Sequence, residues 1–224
     1  MEFVQSVLDL FLHLDEHLAW VVARYGVWVY ALLFLIIFAE TGLVVTPILP
    51  GDSLLFACGA LAASGAMDLW VLLPLLFSAA VIGDAVNYSA GRYFGPRIFA
   101  AHDKQGLVHK LLNRDHLDQA HRFFERYGGM AIVSGRFVPI VRTFVPFVAG
   151  AGYMTYSTFS VYNIAGAAVW VGVCVMAGYL FGGIPVVKDN FELVVLGIIA
   201  VSLIPMAAAA YQSWREKRAR GGSR

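Results

Sequence analysis

FAETGLVVTPILPGDSLLFACGALAASG, residues 38–65, places an acid, two prolines and a Pro-Gly-Asp step between two short apolar runs. Upstream, residues 26–39 are apolar for fourteen positions before Glu40, about 21 Å of helix against a hydrocarbon core of about 30 Å. That run cannot span a bilayer alone. Prolines remove backbone donors and push the preceding residue out of helical geometry, so Pro47, Pro50 and Gly51 predict a break before the second run, Leu54 to Ala63. A re-entrant helical hairpin over residues 26–63 is expected. Residues 128–152 repeat the pattern, with Gly135, Pro139, Pro146, Gly150 and Gly152 dividing pieces too short to cross, and predict a second one.

The composition explains why such breaks lie at membrane depth. Of 224 residues, 59% are hydrophobic and 14% charged, with a mean hydropathy of +0.71, whereas a soluble domain carries roughly a quarter charged residues. So much apolar surface needs lipid around it. Cys58 and Cys174 lie in apolar stretches and read as inert buried thiols, and nothing in a net charge of +1 suggests nucleic acid. The expected order is a retained N-terminal amphipathic helix (1–25) and a first repeat (26–95) with a full span from residue 69. A polar amphipathic linker (96–127) and a second repeat (128–182) with a span from 158 follow. A further span (190–211) and a basic tail (212–224) end the chain.

Charge placement sets the topology. The stretch 92–126 holds seven Lys or Arg and the tail from 212 holds five, so the positive-inside rule puts both in the cytoplasm. An even number of crossings must separate them, which requires the second broken segment to be re-entrant. The two halves then insert in opposite senses. Weak internal similarity agrees: Pro47-Ile48-Leu49 with Ala57 matches Pro139-Ile140-Val141 with Ala149, and AGRYFG (90–95) matches AGYLFG (177–182). The expected fold class is an all-α polytopic membrane protein, an inverted repeat whose two re-entrant hairpins face each other beside transmembrane helices.

Five ionisable residues fall inside these segments: Glu40, Asp52, Asp84, Arg136 and Arg142. Each costs about 2.5 to 3.5 kcal/mol at the bilayer centre on insertion scales, so they must pair, hydrate or lose charge. A purely structural pairing of Glu40 or Asp84 with Arg136 or Arg142 is one reading. Their position beside helix breaks favours a functional one, because breaks make polar cavities. Guanidinium offers a planar fork of donors matched to phosphate oxygens, so Arg136 and Arg142 are candidate binders of a lipid phosphate. Glu40 and Asp52 can exchange protons and are candidates for coupling; Asp84 is a possible supporting residue. His13-Leu-Asp-Glu16-His17 formally fits an inverted zinc-protease motif. It sits in a short amphipathic helix with no convincing third ligand, so no metal or cofactor is expected. Without a nucleophile, base and orienter at membrane depth, the chain does not read as an enzyme.

Three ordered stretches, residues 38–65, GDAVNYSAGRYFG (83–95) and GRFVPIVRTFVPFVAGAGYM (135–154), resemble the DedA family, also called SNARE-associated or VTT-domain proteins. The resemblance covers about residues 30–182. It implies paired re-entrant hairpins and movement of lipids between leaflets, with bacterial members associated with recycling undecaprenyl phosphate. Carried over, the family's essential acids fall on Glu40 and Asp52 and its essential arginines on Arg136 and Arg142. The implied function is a proton-motive-force-dependent flippase of undecaprenyl phosphate, or a similar polyprenyl phosphate, in the bacterial inner membrane, with lipid and protons as partners and a homo-oligomer left open. A proton-coupled small-ion antiporter and a membrane scaffold with structural buried charges are the alternatives.

Overall fold

A computed structural model describes residues 24–43, 51–100, 122, 124–185, 187, 193–194 and 196–197. Pro47 and Pro50, most of the N-terminal helix with its histidine motif, nearly all of the linker, most of the 190–211 span and the basic tail lie outside the described residues. Within them every element is helical: α1 (Trp28–Gly42), α2 (Gly51–Ala63), α3 (Leu69–Ala100), α4 (Met130–Gly135), α5 (Pro139–Val148), a π turn (Ala149–Tyr153) and α6 (Tyr156–Phe181).

Proline chemistry fixes one break directly. Val138 is extended, with φ −121° and ψ 104°, as the residue before a proline prefers. Pro139 then opens α5 in the first turn, where its missing N–H costs nothing. Between α4 and α5 the chain therefore turns at residues 136–138 and leaves helical geometry at Val138. Inside the π turn Gly152 has a φ of +129°, which suits glycine. Pro74 and the Gly83-Asp84 step do not break α3, which continues through Ala100, past residue 95 where the sequence suggested the first repeat ends.

Among the described residues two helices are long and apolar enough to cross a membrane, Leu69–Gly95 and Tyr156–Phe181. At 1.5 Å per residue each spans about 40 Å. The arms of the broken segments distribute themselves over these two. α1 packs on α3 and α2 on α6; α4 packs on α6, and α5 with the π turn on α3. Each segment thus straddles both spanning helices. α1 and α2 touch the protein mainly through different spans rather than through each other.

Small residues allow those approaches. A Cβ on Gly178 of α6 would collide with the Phe56 carbonyl of α2, and one on Gly91 of α3 with the Phe147 carbonyl of α5. Gly59 meets the backbone of Val175 and Tyr179, and Gly150 that of Tyr88 and Arg92. In these pairs the partners in α2 and α5 or the π turn stand 91 residues apart, and those in α3 and α6 stand 87 apart.

Two apolar clusters result. One gathers Leu33, Leu55, Leu72, Leu76, Ala80, Ala167, Trp170 and Val175. The other gathers Tyr88, Ile132, Phe144, Val148 and Phe159. On α3, Asp84 lies one turn from Ala80 and one turn from Tyr88; on α6, Asn163 lies one turn from Phe159 and one from Ala167. Polar residues thus mark the seam between two cores. Large side chains such as Val161, Val173, Ile82 and Leu180 stay exposed on the outer face, a surface suited to hydrocarbon.

Leucine at Gly178 should cost about 1–3 kcal/mol or more through overpacking against α2 and lower the thermal unfolding temperature in detergent. Leucine at Gly172, where a Cβ meets nothing within 4 Å, should leave that temperature close to wild type.

Candidate functional site: a buried charge cluster at the seam

Glu40 sits in the last turn of α1, Asp52 in the first turn of α2, Asp84 midway along α3, Arg136 at the break before α5, and Arg142 in the first turn of α5. Arg136 is 3% exposed, Arg142 8% and Glu40 6%. Neither arginine reaches solvent, so each charge must be met inside the protein.

Arg142 meets two acids. Its Nη1 lies 3.2 Å from Glu40 Oε1 and 3.5 Å from Asp52 Oδ1. Because α1 and α2 approach each other at the Glu40 end, Glu40 Oε1 also accepts a hydrogen bond from the Gly51 N–H at 3.2 Å. The side chain of Glu40 closes the gap that the absent Gly51 side chain leaves open. Trp170 of α6 completes the group. Its indole N–H donates to Asp52 Oδ1 at 2.7 Å, and its ring lies 4.0 Å from the Arg142 guanidinium carbon, a cation–π arrangement that strengthens when desolvated.

Arg136 has a separate acid. Its Nη2 donates to Asp84 Oδ2 and, at 2.5 Å, to Asn163 Oδ1. Asn163 in turn donates to the Val81 carbonyl of α3 at 3.0 Å. The break before α5 is thereby tied to both spanning helices. Asn87 makes a parallel tie: its amide donates to the Thr41 carbonyl at 3.1 Å and the Thr143 carbonyl at 2.8 Å. The Thr41 carbonyl belongs to the last turn of α1, where intrahelical donors run out.

The two arginines do not share one acid, and of the pairings left open from sequence two are present: Glu40 with Arg142, Asp84 with Arg136. They do share one indole, since the Arg136 guanidinium carbon is 6.0 Å from the Trp170 ring. Among the described residues, Arg142 Nη2, Arg136 Nη1 and Nε, and Glu40 Oε2 have no hydrogen-bond partner. Buried donors left unpaired cost about 1–3 kcal/mol, more for charged groups. The cluster thus keeps three guanidinium nitrogens with hydrogen-bonding capacity to spare among the described residues.

Of the break residues, Gly51 heads the described part of α2, Pro139 opens α5, and Pro146 lies inside α5. Reading the sequence for ionisable groups missed Trp170, Asn163 and Asn87. A signal existed, for two amides and a tryptophan far from the ends of long apolar spans are unusual positions.

Residues 49–180 match the VTT domain. Protein DedA of Escherichia coli strain K12 is 53% identical over 207 residues, 92% of each chain. An uncharacterised membrane protein of Mycobacterium leprae is 41% identical over 182 residues, 81% of this chain and 79% of that one. Inner membrane protein YghB of E. coli K12 is 34% identical over 178 residues, 79% of each. No solved structure matches the chain. With more than half its length matched and relatives aligned nearly end to end, the chain belongs to the VTT-domain, or DedA, family of membrane proteins.

Proposed function

We propose that the protein is a proton-driven translocase of a lipid phosphate, undecaprenyl phosphate or a similar polyprenyl phosphate, acting in the bacterial inner membrane. The observation that carries this reading is Arg142. Its guanidinium is buried, faces two carboxylates through Nη1 and keeps Nη2 unpartnered among the described residues. A phosphate can take up Nη2 and compete with Glu40 and Asp52 for the rest of the fork, while protons neutralise the carboxylates it displaces. Arg136 supplies the further donors Nη1 and Nε from beside the same indole. The apolar tail stays in hydrocarbon against the outer face, where Leu73, Pro74, Phe77, Ala168, Val171 and Gly172 line an open groove of about 230 Å³ between α3 and α6.

In this reading the broken segments are re-entrant hairpins and the two halves are inverted repeats. The paired glycine contacts support it, since α2 meets α6 as α5 and the π turn meet α3, at constant separations along the chain. The linker and C-terminus face the cytoplasm. An inverted pair offers the same site to either side by rocking one repeat against the other. The asymmetric feature is the charge: Arg136 is held by Asp84 and Asn163, whereas Arg142 is held by the two acids nearest the apex of the first hairpin. Arg136 with Asp84 then fastens the halves, and Arg142 with Glu40 and Asp52 does the exchange.

In vesicles of defined lipid carrying a pH gradient, wild-type protein is expected to move a lipid phosphate between leaflets, and a protonophore to stop it. Arg142→Ala should reduce the rate at least about tenfold, the effect of losing one charge-assisted contact. Wild-type protein that moves no lipid phosphate defeats the proposal, and proton-linked ion flux in vesicles lacking polyprenyl phosphate favours the small-ion antiporter instead. Asp84→Leu should destabilise the protein by about 3–5 kcal/mol, because it strands a buried guanidinium. Adding Arg136→Leu to it should recover part of that loss in detergent unfolding assays.

A further inference from the structure

Trp170 is fully buried in the middle of α6, away from the membrane interface where the half-polar indole usually lies. As filler for the apolar cluster it joins, an aliphatic or phenyl group would serve as well. Its two polar features are both committed to the charged site. The single N–H donor of the indole goes to Asp52 Oδ1 at 2.7 Å, and the face of the ring lies under the Arg142 guanidinium at 4.0 Å. The same Asp52 oxygen stands 3.5 Å from Arg142 Nη1. One side chain of α6 thus holds an acid from α2 and a base from α5, and it neighbours Arg136 at 6.0 Å.

We propose that Trp170 is a positioning residue of this site, whose N–H fixes the Asp52 carboxylate and whose ring carries the Arg142 guanidinium while the ion pair between them opens and closes. The inference deepens the translocase reading and rests on it for its transport consequence. An anion arriving at Arg142 competes with Asp52 for the guanidinium. Asp52 then loses its contact with Arg142, yet the indole N–H keeps its oxygen in place, ready to re-form the pair when the anion leaves. The ring face keeps Arg142 over the site in both conditions, because the guanidinium meets the ring with its face and its anions with its edge. The two functions of the indole are separable. Phenylalanine retains a ring face and removes the N–H; leucine removes both.

In lipid vesicles, Trp170→Phe should leave KM for a polyprenyl phosphate within about twofold of wild type and lower turnover about tenfold, as expected for a lost hydrogen bond to a charged group. Trp170→Leu should raise KM as well. Benzothienylalanine at position 170, which replaces only the N–H by sulfur, should reproduce the phenylalanine result and serves if that variant folds poorly. A second readout needs no substrate. Thermal unfolding of Trp170→Phe, Asp52→Ala and the double variant should be non-additive, since each single change removes the same contact. Additive unfolding overturns the proposal, and so does non-additive unfolding with turnover and KM both unchanged in Trp170→Phe, which would make the contact structural only. If wild-type protein moves no lipid phosphate, the translocase reading falls and the transport role of Trp170 with it, while the unfolding cycle still decides whether its N–H fixes the Asp52 carboxylate.

Discussion

Arg136 reaches from the turn between α4 and α5 to Asp84 on one spanning helix and Asn163 on the other, and Asn163 returns to the backbone of the first. Remove that tie and the seam between the two apolar clusters holds a charge with nothing to meet it. Burying an ion is tolerable only when its partner and further hydrogen bonds are fixed in place, and here the ion and those partners come from three separate elements. The tie therefore needs both spans and the broken segment at once. The other close contacts, glycine against carbonyl along α3 and α6, bring the backbones near enough for it to form.

With that pair satisfied, the second set of charges is free to differ. Arg142, Glu40 and Asp52 lie where the arms of the first broken segment approach, and their distances of 3.2 and 3.5 Å are looser than a bidentate fork would give. Each also has an alternative partner: the Gly51 N–H for Glu40, the Trp170 indole for Asp52 and the ring face for Arg142. Arg136, by contrast, is clamped by an acid and an amide. One fold thus holds a tight pair and a looser triad side by side.

Much of this was legible from residues. Glu40, Asp52, Asp84, Arg136 and Arg142 stand out because a full charge at membrane depth is too costly to be incidental, and Pro139 announces its break through its own covalent geometry. Which acid meets which arginine was not legible. Arg136 and Arg142 are six residues apart, yet their acids come from α3 in one case and from α1 and α2 in the other, a choice made by long-range packing. The straddling of the first segment was hidden for the same reason, since short apolar runs do not say which span they will cover. Trp170, Asn163 and Asn87 escaped notice because neutral polar groups carry a smaller penalty and blend into an apolar run. Proline was also an uneven guide: Pro74 lies within an unbroken α3, while Pro139 opens a helix.

The central claim is that Arg142 holds a lipid phosphate within the membrane, between carboxylates that otherwise occupy it. Solid-state NMR of protein in bilayers, labelled with ¹⁵N at the arginine guanidinium groups and supplied with polyprenyl phosphate, reads this directly through ³¹P–¹⁵N dipolar dephasing. The account predicts dephasing of the Arg142 guanidinium signal by the lipid phosphorus, lost in Arg142→Lys whatever remains at Arg136. A phosphorus that dephases no guanidinium, or a set of dephased signals that Arg142→Lys leaves unchanged, contradicts it.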